Sequence, residues 1–437
     1  MSIFADLPRV TYAGPDTADP LAFRWYDPNR LVLGRRMEDH LRWSVAYWHS
    51  FQWPGSDVFG AGTFDRPWRP GEPVDRARAL LKMDAAFEFF DRLGAPFFAF
   101  HDVDAMPDAE TPDDYRRALE WTAEQLGDRL SRASTKLLWG TANLFGHPRY
   151  MAGAATNPDP AVFLWASLQV SAMLDVTHRL GGANYVLWGG REGYETLLNT
   201  DLKRERQMFA RFLAMVADYK HRIGFPGLLL IEPKPHEPTK HQYDRDVATV
   251  YGFLREFGLD GEYKVNIEAN HATLAGFSFE HEVAQAAALG CLGSIDINRG
   301  DPQNGWDTDQ FPQDVRELAL VMYYLLQAGG FNSGGFNFDA KVRRQSIEPV
   351  DLLEAHVAGV DMLARGLLVA ERLIKSGELA AFVEARYAEW DNALGRQLLT
   401  GELRLEDAAR LAAPVSPRSG RQEHLEQIVA RAGDRLT

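Results

Sequence analysis

The chain has 437 residues, 46% of them hydrophobic and 25% charged, with a formal net charge of -14 and a single cysteine. That balance describes a folded chain with a large core, the negative charge argues against nucleic acid or an anionic membrane as a partner, and one cysteine excludes an internal disulfide and fits a reducing, cytoplasmic setting. No run approaches the ~18 uninterrupted apolar residues that a bilayer span needs, and the opening residues, MSIFADLPRV, lack the basic-then-apolar order of a secretory signal.

Residues 1–44 carry proline, arginine and aromatics without clear periodicity and read as a lead segment packed on the body of the protein. Then a unit recurs: a short apolar run, a polar tip, a loop, an amphipathic helix. The apolar runs fall at 45–51, 97–104, 137–145, 185–190, 228–234, 264–271, 293–298 and 335–339. Helical stretches separate them at 76–93, 113–129, 160–179, 195–223, 244–257, 279–288 and 312–327; in the first, Leu80, Leu81, Ala85, Phe89 and Phe90 recur at helical spacing. Strands alternating with helices build a parallel sheet. Eight such units predict a closed (β/α)8 barrel, an α/β TIM fold spanning 45–345. An open doubly wound sheet is the competing architecture, but no G-x-G-x-x-G opens an early helix, and the Gly189-Gly190 pair is too short a signal. Residues 346–437 are helical in periodicity, begin with a long amphipathic helix over 350–375 and contain no strand runs. They read as a C-terminal helical extension with a role in subunit contacts.

In a barrel of this type the reacting groups gather at the C-terminal ends of the strands. The second run ends in FHDVD, placing His101 and Asp104 at the mouth; the third offers Trp139, the fourth Val186 and Trp188. The fifth ends in IEPKPHEP, where Glu232 and Lys234 alternate onto one side between prolines that deny ladder hydrogen bonds. In the sixth, Val265 and Ile267 alternate with Asn266 and Glu268, and His271 follows. Ile295 and Ile297 flank Asp296 in the seventh, and the loop beyond it carries Asp301, Asp307 and Asp309; the eighth ends at Asp339.

Singly, each of these has an ordinary structural explanation. A carboxylate at a strand end is solvated or caps a helix, a strand aromatic is core, and Cys291, in LGCLGSI, reads as a small buried residue rather than a nucleophile. Together they are harder to set aside. So many carboxylates at one sheet edge repel one another unless protons or cations compensate. Several oxygen ligands suit a hard divalent cation, and one imidazole broadens the site towards Mn²⁺ or Co²⁺.

Six segments, in order, carry a family resemblance: FHDVD, VLWGGREGYETLLNTD, IEPKPHEPTKHQYD, NIEANHATLAGFSFEHE, SIDINRGDPQNGWDTDQFP and GGFNFDAK. They resemble the blocks of xylose isomerase, and AYWHSFQWPGSDVFG resembles the longer, class II form of that enzyme. The resemblance implies a homotetrameric TIM barrel holding two divalent cations, Mg²⁺, Mn²⁺ or Co²⁺. By that resemblance one cation is held by Glu232, Glu268, Asp296 and Asp339, and the second by Glu268, His271, Asp307 and Asp309, with Glu268 bridging. It further implies that His101, supported by Asp104, assists opening of a pyranose and that Lys234 contacts the oxygen on its first carbon. Trp188 would line the apolar wall, Trp139 and Val186 would stand near the far end of the sugar, and Phe59 would reach into a neighbour's site. The implied reaction is aldose–ketose isomerisation of D-xylose to D-xylulose, and of D-glucose to D-fructose, by ring opening and a two-metal-assisted hydride shift. Other readings stay open at this point: an isomerase or epimerase of another sugar, or a metal-dependent phosphodiesterase or nuclease, which the negative charge disfavours. A purely binding protein would not need the His101–Asp104–Lys234 set.

Overall fold

Eight parallel strands close on themselves in the computed structural model, which describes residues 3–4, 6–57, 59–63, 65–68 and 74–434. In chain order they are β1 (Ser44–Ala46), β2 (Phe97–His101), β3 (Lys136–Thr141), β4 (Asn184–Trp188), β5 (Leu228–Glu232), β6 (Tyr263–Glu268), β7 (Leu292–Asp296) and β8 (Phe336–Phe338). The circle is completed between β8 and β1, with Asn337 opposite Ser44 and Phe338 opposite Val45. Each strand falls on one of the apolar runs, as expected of strands covered on both faces. The first is shorter than its run. The chain leaves the sheet after Ala46 and passes through one wide helical turn, Trp48–Gln52, closed by Trp53 N–H donating to Trp48 O at 3.0 Å.

The outer ring is α1 (Arg76–Leu93), α2 (Pro112–Leu130), α3 (Pro160–Arg179), α4 (Leu202–Ile223), α5 (Val247–Glu256), α6 (Phe279–Ala288), α7 (Val315–Gln327) and α8 (Pro349–Ser376). Six of these start on an Asp or Thr whose side chain accepts an N–H of the first turn: Asp75, Thr111, Asp159, Asp201, Asp246 and Asp314. By length and composition α3 could cross a membrane. It packs on β3 between α2 and α4, and carries Gln169 and Asp175 within its span.

The long helix that the sequence places at the start of the extension belongs to this ring. α8 lies along α7 and against α1, burying Leu352, Leu353, Val360, Leu363 and Leu367. Its Asp361 carboxylate accepts the backbone N–H groups of Trp25 at 2.8 Å and Tyr26 at 3.0 Å, which pins the lead segment to the barrel. The physical reason is coverage: β8 and β1 form the closing seam, and a helix must shield their outer face. The arm proper therefore follows Gly377. Its last helix, Gln422–Asp434, lies against α7 and α8, whereas Leu398, Leu399, Leu405 and Val415 along the arm are exposed.

Inside the barrel, Ala99, Leu138, Trp139, Val186 and Leu230 pack into an apolar plug. The loops after β4 and β5 are joined above it by a two-residue pairing of Gly193–Tyr194 with His241–Gln242.

Candidate active site

Parallel register alone assembles the acids. Glu268 stands opposite Asp296, Asp296 opposite Asn337, and Glu232 opposite Trp188, so the tips of β5 to β8 finish side by side. One carboxylate oxygen each from Glu232, Glu268, Asp296 and Asp339 can be chosen so that all lie within 4.8 Å of one another. Two further groups meet the same condition, Glu268 with Asp307 and Asp309, and Glu232 with Glu268 and His271; Glu268 belongs to all three. His271 rides on a short helix, Ala269–Leu274, that starts directly after Glu268. The i,i+3 spacing turns the imidazole back over the mouth. Its Nε2 lies 3.0 Å from Glu268 Oε2 and 3.1 Å from Asp307 Oδ2, and its Nδ1 3.6 Å from Glu232 Oε1.

These groups are almost wholly removed from water. Neither oxygen of Asp296, nor His271 Nδ1, meets a hydrogen-bond partner among the described residues. Burial, with the charge of Asp339 adding, pushes the Glu232 carboxyl up to about 8. Burial and carboxylate neighbours likewise hold Glu268, Asp296 and Asp309 well above the usual carboxylate range. Asp307 and Asp339 go the other way. Burial would raise both, but Lys234 and His271 outweigh it at Asp307, and His49 outweighs it at Asp339. Buried carboxylates that face one another are costly as bare anions. As a donor set of hard oxygens with one imidazole, they fit divalent cations.

Beside the acids is a pocket with one polar and one aromatic side. Lys234 Nζ donates to Asp307 Oδ2 at 2.8 Å and lies 3.2 Å from Glu237 Oε2. Burial opposes its charge, but Asp307, Glu237 and Glu268 outweigh burial and keep it an ammonium. It sits 5.2 Å above the ring of Trp188, which meets Phe145 edge-on at 4.4 Å and lies parallel to His271 at 6.5 Å. Across the mouth, His101 stands edge-on to Trp48 at 4.5 Å, with its Nδ1 3.4 Å from Asp104 Oδ2. Burial alone would lower the His101 pKa; Asp104 outweighs it and the net shift is upward. Trp139 and Val186 lie below, in the plug. Phe59 stands on the outer rim, 82% exposed, its ring edge-on to Trp306 at 6.1 Å.

Asp301 is not brought to the acids. It closes a local turn, its Oδ1 accepting Gln303 N–H at 3.0 Å and its carbonyl accepting Asn304 N–H at 3.0 Å. Conversely, several side chains at the mouth were given no role by sequence reasoning. Asn266 Nδ2 donates to Glu232 Oε2 at 3.1 Å, Asn298 Nδ2 to Glu268 Oε1 at 2.7 Å and Lys341 Nζ to Asp309 Oδ2 at 2.7 Å. Trp48, His49, Phe145 and Glu237 join them. Asn266 and Asn298 carried a signal, since each is a polar residue at a strand tip within two positions of a candidate ligand.

The fold and the site define a TIM-barrel protein with a carboxylate–imidazole centre at its C-terminal mouth and an aromatic pocket beside it. The chain is 60% identical over 437 residues to a xylose isomerase of Burkholderia cenocepacia, covering 99% of each sequence, and 59% identical over 433 residues to a xylose isomerase of Novosphingobium aromaticivorans, covering 98% of this chain and 99% of that one. Residues 383–432 match the XylA2 C-terminal domain model. A solved structure of L-ribulose 3-epimerase shares the barrel with a TM-score of 0.52 at 14% identity, over 76% of this chain and 96% of that one. The chain belongs to the xylose isomerase family.

Proposed function

We propose that this chain interconverts D-xylose and D-xylulose, and more slowly D-glucose and D-fructose, as a class II enzyme of D-xylose catabolism. The observation that carries the reading is Glu268, common to all three acid groups, with the Lys234–Asp307 pair beside it. Glu232, Glu268, Asp296 and Asp339 would hold one divalent cation, and Glu268, His271, Asp307 and Asp309 a second. Bound there, Mg²⁺, Mn²⁺ or Co²⁺ would polarise the oxygens on the first two sugar carbons.

The side chains account for the rest. His101, kept basic by Asp104, moves a proton at the ring oxygen so that the pyranose opens. Lys234 donates to the oxygen on the first carbon and stabilises charge that develops there. Hydrogen leaves the second carbon with its electron pair and joins the first, while the hydroxyl proton of the second carbon passes to the oxygen of the first. Trp48, Phe145 and Trp188 exclude water from that transfer, which favours a direct shift over an enediol route. Asp307, ionised beside Lys234, would hold the water that carries the hydroxyl proton between the two oxygens.

The working unit is proposed as a cytoplasmic homotetramer. Exposed apolar residues along the arm beyond Ser376 would meet neighbouring subunits, and the exposed Phe59 ring would enter a neighbour's pocket. The test is D-xylulose formation from D-xylose by EDTA-stripped protein with and without Mg²⁺, Mn²⁺ or Co²⁺. Product that depends on added metal supports the reading; a folded protein that forms none moves it to another sugar. Substantial solvent deuterium at the migrating position would refute the direct shift.

A further inference from the structure

Asp339 is held from outside the acid groups by two consecutive side chains. The Trp48 indole Nε1–H donates to Asp339 Oδ1 at 3.0 Å, and His49 Nε2 lies 2.7 Å from that same oxygen. His49 Nε2 is also 3.4 Å from Asp309 Oδ2. One imidazole thus touches a carboxylate from each of two acid groups, Asp339 of the set with Glu232 and Asp296, and Asp309 of the set with Asp307. Asp309 Oδ2 also accepts a hydrogen bond from Lys341 Nζ, at 2.7 Å.

The position of His49 is set by the backbone. It stands in the wide turn directly after β1, with 15% of its side chain exposed and its ring 5.8 Å from that of Trp48. With carboxylates as its neighbours, Nε2 is the ring nitrogen that carries the proton. The Trp48 hydrogen bond and the His49 contact both fall on Asp339 Oδ1 rather than on Oδ2. Partners of this kind fix the orientation of a ligating group, and removing them weakens metal binding.

We infer that His49 is a positioning residue for the candidate metal centre: it fixes the orientation of Asp339 and its separation from Asp309. This rests on the divalent-cation reading proposed above. Phenylalanine keeps the ring against Trp48 and deletes the donor; glutamine restores an N–H at similar reach.

The test is calorimetric titration of Mn²⁺ into the EDTA-stripped full chain, for the unaltered protein, His49→Phe and His49→Gln, with each variant's metal-free melting temperature recorded. In His49→Phe the affinity of at least one Mn²⁺ should fall about 10- to 100-fold, the range seen when such supporting partners are removed, with the metal-free melt little changed. His49→Gln should recover most of the loss. Equal affinities in the unaltered protein and His49→Phe would overturn the inference, as would a folded His49→Gln no tighter than His49→Phe. If His49→Phe does not fold, His49→Ala takes its place under the same criteria. No Mn²⁺ uptake by the unaltered protein would instead overturn the cation reading, and this inference with it.

Discussion

Lys234 and Asp307 meet across the barrel mouth, Nζ donating to Oδ2 at 2.8 Å, although 73 residues separate them in the chain. Lys234 stands on the irregular end of β5 between two prolines; Asp307 comes from the loop after β7. The pair keeps the lysine protonated and the aspartate ionised. Lys234→Met should therefore remove a preorganised donor and release Asp307 at once. The expected outcome is a loss in kcat of about 10²–10³ with a smaller change in sugar KM, measured as D-xylulose formation at saturating Mn²⁺. A variant within a few-fold of the unaltered enzyme would assign Lys234 a structural role only.

Metal removal should be visible without any assay of activity. A ligand bound only by the folded state adds about 2.7 kcal/mol per site at a hundred times its Kd, so the melting temperature should rise with Mn²⁺ and return with EDTA. Glu268→Gln should abolish most of that rise, because Glu268 is shared by every acid group at the mouth. Calorimetric melts of both proteins, with and without metal, decide it. A full metal-induced rise in the variant would remove Glu268 from the bridging role.

The same acids set a pH dependence. Glu232, Glu268, Asp296 and Asp309 have folded-state pKa values raised above the usual range by burial and neighbouring carboxylates, Glu232 to about 8. A raised pKa means that the metal-free fold holds protons that the unfolded chain releases above roughly pH 4. That stabilisation is complete at low pH and is lost as pH rises through the folded-state values. Asp307 and Asp339 are lowered, so their contribution is lost only on acidification below the usual carboxylate range. Metal-free melting temperature should therefore fall between pH 5 and about 8. The rise induced by Mn²⁺ should grow across the same window, because the cation displaces those protons. A metal effect that shrinks with pH would contradict the assignment.

The barrel was legible because buried parallel strands read as near-continuous apolar runs and each ends on a polar tip. Glu232, Glu268, Asp296 and Asp339 were legible for the same reason. What escaped depends on contacts between segments far apart in the chain. His49 lies within an apolar run that reads as strand, yet the chain leaves the sheet after Ala46 and a wide turn carries His49 to Asp339. Asp301 looked like its neighbours Asp307 and Asp309, but a local turn satisfied it first. The place of α8 was hidden because periodicity shows that a helix is amphipathic, not which layer receives its apolar face.

The last prediction concerns Gly189, which directly follows Trp188 at the tip of β4. A Cβ there would stand 2.2 Å from Asp244 Oδ2, and Asp244 is only 2% exposed. Asp244 closes the loop after β5, its carbonyl accepting the Lys234 backbone N–H at 2.9 Å. A methyl group at 189 must therefore displace either the buried Asp244 carboxylate or the Trp188 tip from the segment that carries Lys234. Overpacking of this kind costs about 1–3 kcal/mol. Gly189→Ala should lower the melting temperature and raise the sugar KM, since Trp188 and Lys234 form two sides of one pocket. Adding Asp244→Ala should relieve the clash and recover part of the lost stability. Thermal melts and KM values for the single and double variants check both statements. A Gly189→Ala protein with unchanged melt and KM would show that the Asp244 side chain yields without moving either strand tip.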